Sequence, residues 1–193
     1  MLNEEEIIDY LKKNLKEARF THSIGVMNMA IKLAKLHNVD AANAKFAGLL
    51  HDVAKNMTNF ELISYSKENN IPLDELKLQS PGMLHAEVGA DIAKKKFGAN
   101  NEIVQAIKYH TLGSENMTDL DKIIYIADLI EEGRDLEGLD PIRKVAYRNL
   151  DEALVMSLRY CIDNVKERGK ATHPQSKKAL VAAEKRTKDK TSN

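Results

Sequence analysis

A chain of 193 residues, 43% hydrophobic and 30% charged, is long enough to bury a substantial core and too apolar to be disordered. Lysine plus arginine and aspartate plus glutamate both number 29, and the resulting zero net charge argues against broad nucleic-acid binding. Cys161 is the only cysteine, which excludes an internal disulfide and points to a reducing compartment, and no apolar run approaches the length of a membrane span.

Apolar positions recur at helical spacing almost throughout, with no alternating strand, no internal repeat and no linker, so a single-domain all-α bundle is predicted. The acidic, amphipathic start MLNEEEIIDYLKKNL differs from a positively charged secretory leader, and a cytoplasmic location is expected. Ile7, Leu11 and Leu15 line one face of an opening helix. Thr21 reads as the N-cap of a second helix reaching Leu36, in which His22 shares a core-facing side with Val26, Met29 and Leu33. A third helix is predicted over 41–54, delivering His51 and Asp52 at its C-terminal end. Gly48, one turn before Asp52, leaves space for a partner or substrate. Lys55 reads equally as a cation beside the same mouth and as a helix-end lysine complementing the dipole.

Thr58 caps a helix through Glu68, Pro72 interrupts the pattern, and 79–82 forms a turn before His85 opens another helix. Gly98 and Asn100 mark a break, and His110 ends a helix whose inner face holds Ile103 and Ile107. A helix over 119–132 sets Ile124 and Asp128 one turn apart, with Glu131 and Glu132 reading as its solvated face. Gly133 and Gly138 loosen the chain before Pro141, a first-turn proline. One long helix is expected from Ile142 into the 160s, broken by the stretch THPQS at 172–176. Helix resumes over 177–185 and frays over 187–193. His37 reads as exposed and structural. Acids dominate 115–140 and bases 166–190; the basic tail suits a compact polyanion such as a nucleotide, although a solvated face explains most of its lysines.

The chemistry centres on His51-Asp52, two metal-ligand side chains back to back. Such a pair is a weak signal alone. With His22 upstream and His85, His110 and Asp128 downstream, each on or at the end of a different predicted helix, the set outweighs the reading of each as a satisfied core or surface residue. Facing helices of a bundle bring such side chains together. Imidazole nitrogen with carboxylate oxygen suits iron, manganese, zinc or similar divalent ions, and the lack of a cysteine cluster argues against structural zinc. Neighbouring helix residues point about 100° apart, so His51 and Asp52 converge only where the helix ends at a cavity, or where Asp52 bridges two metals. Arg19 and Arg134 are candidates for bidentate phosphate contacts, and Thr111 for a hydroxyl hydrogen bond.

The order His22, His51-Asp52, Asp128 resembles the HD-domain metal-dependent phosphohydrolases. RFTHSIGVM, GLLHDVAK, LHAEVGA, KYHTLG, YIADLIEEGR and THPQS, spread over 19–176, together resemble the YqeK family of bacterial HD proteins. The resemblance implies one HD-type domain over 1–193, with a motif core at about 19–135 and C-terminal helices with a nucleotide-contacting loop over 140–186. It implies symmetrical hydrolysis of diadenosine tetraphosphate to two ADP with one or two iron ions, while manganese, cobalt or another divalent metal is chemically acceptable. His22, His51, Asp52 and Asp128 then hold the first metal and His85 and His110 the second, with Asp52, His85 and His110 serving catalysis. These ligands other than His51, with Arg19, Lys55, Thr111, Arg134 and Thr172, His173, Pro174, Gln175, Ser176 and Lys177, surround the nucleotide in that reading; the residues alone favour a simple helix break at Pro174. The expected partner is a dinucleoside polyphosphate or ADP, with no DNA, RNA or membrane, and a homodimer stays open because no seam can be read. Two alternatives remain: another HD phosphohydrolase acting on nucleoside monophosphates or cyclic nucleotides, and a non-catalytic nucleotide sensor, against which the intact ligand set weighs.

Overall fold

The computed structural model describes residues 2–191, which form eleven α-helices and one 3-10 turn; no strand occurs among the described residues. The all-α expectation holds, and the departures from it lie at helix ends. α1 (Glu4–Asn14) starts where the Asn3 side chain accepts from the amides of Glu5 and Glu6, and it buries Ile7 and Leu11. α2 (Glu17–Leu36) begins a turn earlier than expected: Lys16, in extended conformation, takes the cap position, and Thr21 lies inside the helix. Arg19 and His22 therefore stand on one helix, a turn apart. α3 (Ala41–Leu50), capped by Asp40, stops at His51, and residues 51–56 form turns instead of the helical continuation expected to 54.

α4 (Asn59–Glu68) opens in the reciprocal box of Thr58 and Glu61. α5 (Glu75–Gln79) stands where no element was expected, the 3-10 turn Pro81–Leu84 overlaps the turn expected at 79–82, and α6 (His85–Phe97) follows, closed by Gly98 at φ +69°. α7 (Asn101–Tyr109) is capped by Asn100 and α8 (Asp119–Ile130) by the Thr118–Asp121 box. The single long helix expected from Ile142 is two, α9 (Leu139–Ala146) and α10 (Leu150–Glu167). The Asn149 side chain accepts from the amides of Asp151 and Glu152, starting a fresh helix where the periodicity alone continues. α11 (Pro174–Thr191) has Pro174 as its first residue, a position where the missing N–H costs nothing, and it runs on through 187–191 where fraying was expected; 192 and 193 lie outside the described residues.

α8 is the axis. Ten of its twelve residues are buried, the exceptions being Asp119 and Asp128. A helix apolar on nearly every side must be enclosed, and α2, α3, α7 and α10 pack around it, with α9 against its end. Lys122 of α8 reaches Asp151 of α10 at 2.6 Å, both buried. α3 wedges between α2 and α7. Gly48 makes the first of those contacts possible, since a Cβ there would stand 2.9 Å from Met27 Cα. Of the partner or substrate expected to approach at Gly48, it is a partner helix, α2, that stands there. His37 is half-buried, its Nε2 donating to the Ala146 carbonyl at 2.7 Å, so it ties α2 to the end of α9 where an exposed ring was expected. Among the described residues no helix is long and apolar enough to cross a membrane.

Candidate metal centre

Four imidazoles meet beside α8, and three of them are aimed by one local device. His51 follows the last residue of α3, His85 opens α6, and His110 follows the last residue of α7. Each donates from Nδ1 to the carbonyl three residues earlier: Gly48 at 2.7 Å, Gly82 at 2.5 Å and Ile107 at 2.6 Å. A carbonyl only accepts, so Nδ1 carries the hydrogen and Nε2 presents a lone pair to the interior. His22 sits in mid-helix, where the preceding carbonyls are already engaged. Its Nδ1 instead faces Glu131 Oε1 at 3.0 Å.

Asp52 stands among these lone pairs. Its Oδ1 lies 3.2 Å from His85 Nε2 and 3.6 Å from His110 Nε2, and its Oδ2 lies 3.4 Å from His51 Nε2 and 4.0 Å from His22 Nε2. Asp128 Oδ1, from α8, is 2.9 Å from His22 Nε2 and 3.7 Å from His51 Nε2. The four ligands expected for the first metal and the two expected for the second are thus gathered in one buried cluster, with one carboxylate oxygen of Asp52 toward each group.

Such an arrangement fits divalent cations. His51 Nε2 and Asp52 Oδ1 are buried without a hydrogen-bond partner, and the Nε2 atoms of His85 and His110 face each other at 3.1 Å. Lone pairs so placed repel unless a positive charge stands among them, and unpaired buried polar atoms are costly. Burial pushes the Asp52 and Asp128 carboxyls up. The imidazoles packed against them outweigh that effect, and both are held well below the ordinary range as carboxylates. Burial pushes His85 down, favouring the neutral ring a metal requires. The donors are nitrogen and oxygen, a set that iron, manganese, cobalt and zinc all accept. Cys161 is not among them: burial pushes its thiol up to about 11, and it serves as wall of a neighbouring cleft.

Cations rim the cluster. Arg19 Nη1 is 2.7 Å from Asp52 Oδ2, and Arg134 Nη2 is 3.0 Å from Asp128 Oδ1. Lys55 Nζ stands 3.0 Å from His85 Nε2 and 3.6 Å from Asp52 Oδ1. Thr111 Oγ1 lies 3.1 Å from His110 Nε2 and 3.2 Å from His85 Nε2. Thr172 and His173 of the loop before α11, and Ser176 in its first turn, line a cavity of about 410 Å3 together with Lys55, His85 and Thr111. His173 is held there by its Nε2 bond to Asp74 at 3.0 Å. Pro174 and Gln175 turn toward a separate depression, Gln175 donating to the Gly113 carbonyl at 2.6 Å, and Lys177 is exposed.

One functional residue escapes sequence reasoning. Glu131, read as solvated, is only 4% exposed. Its Oε2 accepts from the Gly133 amide at 2.6 Å, and a Cβ on Gly25 would stand 2.3 Å from that oxygen. Glu132 is exposed as expected. The usable signal was the spacing: Glu131 lies three residues after Asp128, and glycines occur three after His22 and two after Glu131 itself.

The HD domain family matches residues 19–133, a span that holds all six metal-ligand candidates. A protein of Bacillus subtilis named symmetrical bis(5'-nucleosyl)-tetraphosphatase is 38% identical over 82% of this chain and 85% of its own length. One of the same name from Staphylococcus aureus is 37% identical over 79% of this chain and 80% of its own. A crystal structure from Clostridium acetobutylicum, described as a predicted HD superfamily hydrolase involved in NAD metabolism, superposes with a TM-score of 0.93 at 38% identity, covering 96% of this chain and 99% of that one. With likeness this extensive in both sequence and fold, the chain belongs to the HD-domain family, in its YqeK branch.

Proposed function

We propose that this protein hydrolyses dinucleoside tetraphosphates symmetrically, diadenosine tetraphosphate to two ADP, in the cytoplasm and with one or two iron ions in the histidine–aspartate cluster. The names of its relatives support the reaction. The observation that carries it is the position of Lys55. This lysine borders a cavity of about 520 Å3 on the α2 side and two of about 410 and 270 Å3 on the α10 side. It also lies 3.6 Å from Asp52, so cavities open beside the cluster on both sides, and we read them as one groove with the cluster at its middle. A four-phosphate chain laid along that groove puts its central bridge at the cluster. A nucleoside monophosphate or a cyclic nucleotide has no use for a second arm.

The side chains match a polyphosphate. The guanidinium forks of Arg19 and Arg134 can each meet two phosphate oxygens, and the Lys55 ammonium neutralises charge on the departing ADP. Thr111 adds a hydroxyl, while Thr172, His173 and Ser176 close over one nucleotide half. Divalent cations bound by His22, His51, Asp52, Asp128, His85 and His110 would neutralise the phosphates and bring the pKa of coordinated water toward about 7. Iron is proposed on the family resemblance, since the donor set also accepts manganese and cobalt.

The test uses anaerobically purified, iron-loaded protein and diadenosine tetraphosphate, with products resolved chromatographically. ADP as sole product is expected; AMP with ATP contradicts the reading. Asp52→Ala should abolish turnover while retaining nucleotide affinity, and unchanged turnover in that variant would identify a different catalytic centre.

A further inference from the structure

Diadenosine tetraphosphate has two identical ends, but a chain without an internal repeat cannot offer them two identical pockets. The arms of the groove differ in kind. On the α10 side the walls include Met83, Leu112, Tyr125, Tyr160, Ile162 and Val165, an apolar wall bordered by the cations Lys55, Arg134, Arg168 and Lys170 and by polar groups such as Thr111, Asn164 and His173. A purine leaves water for such surfaces, and the marginal groups can fix its orientation. On the α2 side Lys16, Arg19, Asn56, Glu131 and Arg134 dominate, and no aliphatic side chain larger than Ala18 and no phenyl or phenol ring lines the space. That arm provides N–H donors and positive charge, which suit phosphate oxygens and leave a purine in water.

Resting on the tetraphosphatase reading, we propose that the site recognises one nucleoside only: the apolar arm reads a base, and the cationic arm holds the other half by its phosphates. The second nucleoside is then dispensable, and adenosine 5'-tetraphosphate, one nucleoside on a linear chain of four phosphates, is also a substrate. Water adds across the central P–O–P bridge in either compound. Its oxygen joins one phosphorus, the bridging oxygen leaves with the other, and its protons pass to the products and solvent. The products are two ADP from the dinucleotide and ADP with pyrophosphate from adenosine tetraphosphate. The extra terminal charge of the shorter compound falls in the arm lined by Lys16, Arg19 and Arg134.

Three substrates given to the same metal-loaded protein test this without any substitution. Diadenosine tetraphosphate and adenosine tetraphosphate should have kcat/KM values within about fivefold of each other, because a group that makes no contact contributes nothing at the reacting centre. Inorganic tetraphosphate, with neither nucleoside, should be poorer by about a hundredfold or more, since losing a recognised group lowers kcat as well as raising KM. A loss of about a hundredfold for adenosine tetraphosphate, with the dinucleotide turned over normally, shows that the second base is read and overturns the proposal while sparing the tetraphosphatase reading. Equal rates for inorganic and adenosine tetraphosphate overturn it from the other side, because the apolar arm would then read no base. Failure of all three compounds removes the tetraphosphatase reading and the proposal with it.

Discussion

His51, His85 and His110 orient themselves on carbonyls that their own chain places three residues back, so their aim is nearly a local property. His22 depends on a carboxylate from another helix. Glu131 brings a full negative charge to Nδ1, which fixes the ring and makes Nε2 a stronger donor to a cation, as carboxylates behind metal-binding histidines commonly do. Glu131→Gln cannot replace it well. Both neighbours, the His22 Nδ1–H and the Gly133 amide, are donors, and one of them would then face the new NH2 group. Metal affinity measured by chelator competition should fall about 10–100-fold, with helical content unchanged. Gly25→Ala, whose methyl would displace the Glu131 carboxylate, should lower affinity in the same direction. Unchanged affinity in both variants would mean that α2 alone holds the ring. The candidate ligands were legible because histidine and aspartate carry their chemistry in their identity. Glu131 was not, because whether a last-turn glutamate meets water or an imidazole depends on where α8 ends and how 133 folds back.

At the scale of elements, α2 and α3 must lie close enough to set His22 against His51, whose ring centroids are 5.3 Å apart. Gly48 permits that approach. Gly48→Ala puts a methyl against the Met27 backbone, which unlike a flexible side chain cannot turn aside. Overpacking of this kind costs roughly 1–3 kcal/mol. In a chain of this size each kcal/mol lowers the melting temperature by about 2–4 °C, measurable by calorimetry or circular dichroism. An unaltered melting temperature would show that the two helices can separate freely. Helix identities were visible in the apolar spacing, whereas several boundaries were not. Periodicity runs straight through 147–149, yet Asn149 caps a new helix there, and Thr21 has the chemistry of a cap while Lys16 occupies the position. A cap residue is one candidate among several until the backbone around it chooses, and that choice is made by packing.

For the whole molecule, the cluster gathers four imidazoles, two carboxylates and a rim of three cations in the middle of the bundle. Without a bound cation the facing lone pairs of His51, His85 and His110 and the Asp52 carboxylate oppose that arrangement. Ligand binding to the folded state alone adds about 2.7 kcal/mol at a hundred times Kd. Removing metal with a chelator should therefore lower the melting temperature by about 5–11 °C, and restoring iron or manganese should reverse it. A melting temperature indifferent to metal would argue that the cluster is held by hydrogen bonds alone. The sequence by itself determined that the chain is helical, which residues can bind a cation and to which family it belongs, since these depend on side-chain chemistry and local periodicity. Only the tertiary structure decided that Asp52 faces both groups of ligands, that Glu131 stands behind His22, and that cavities open beside the cluster toward both α2 and α10. Those features arise between residues as far apart as 22 and 131, and their distances are set by how α2, α3, α7 and α10 enclose α8.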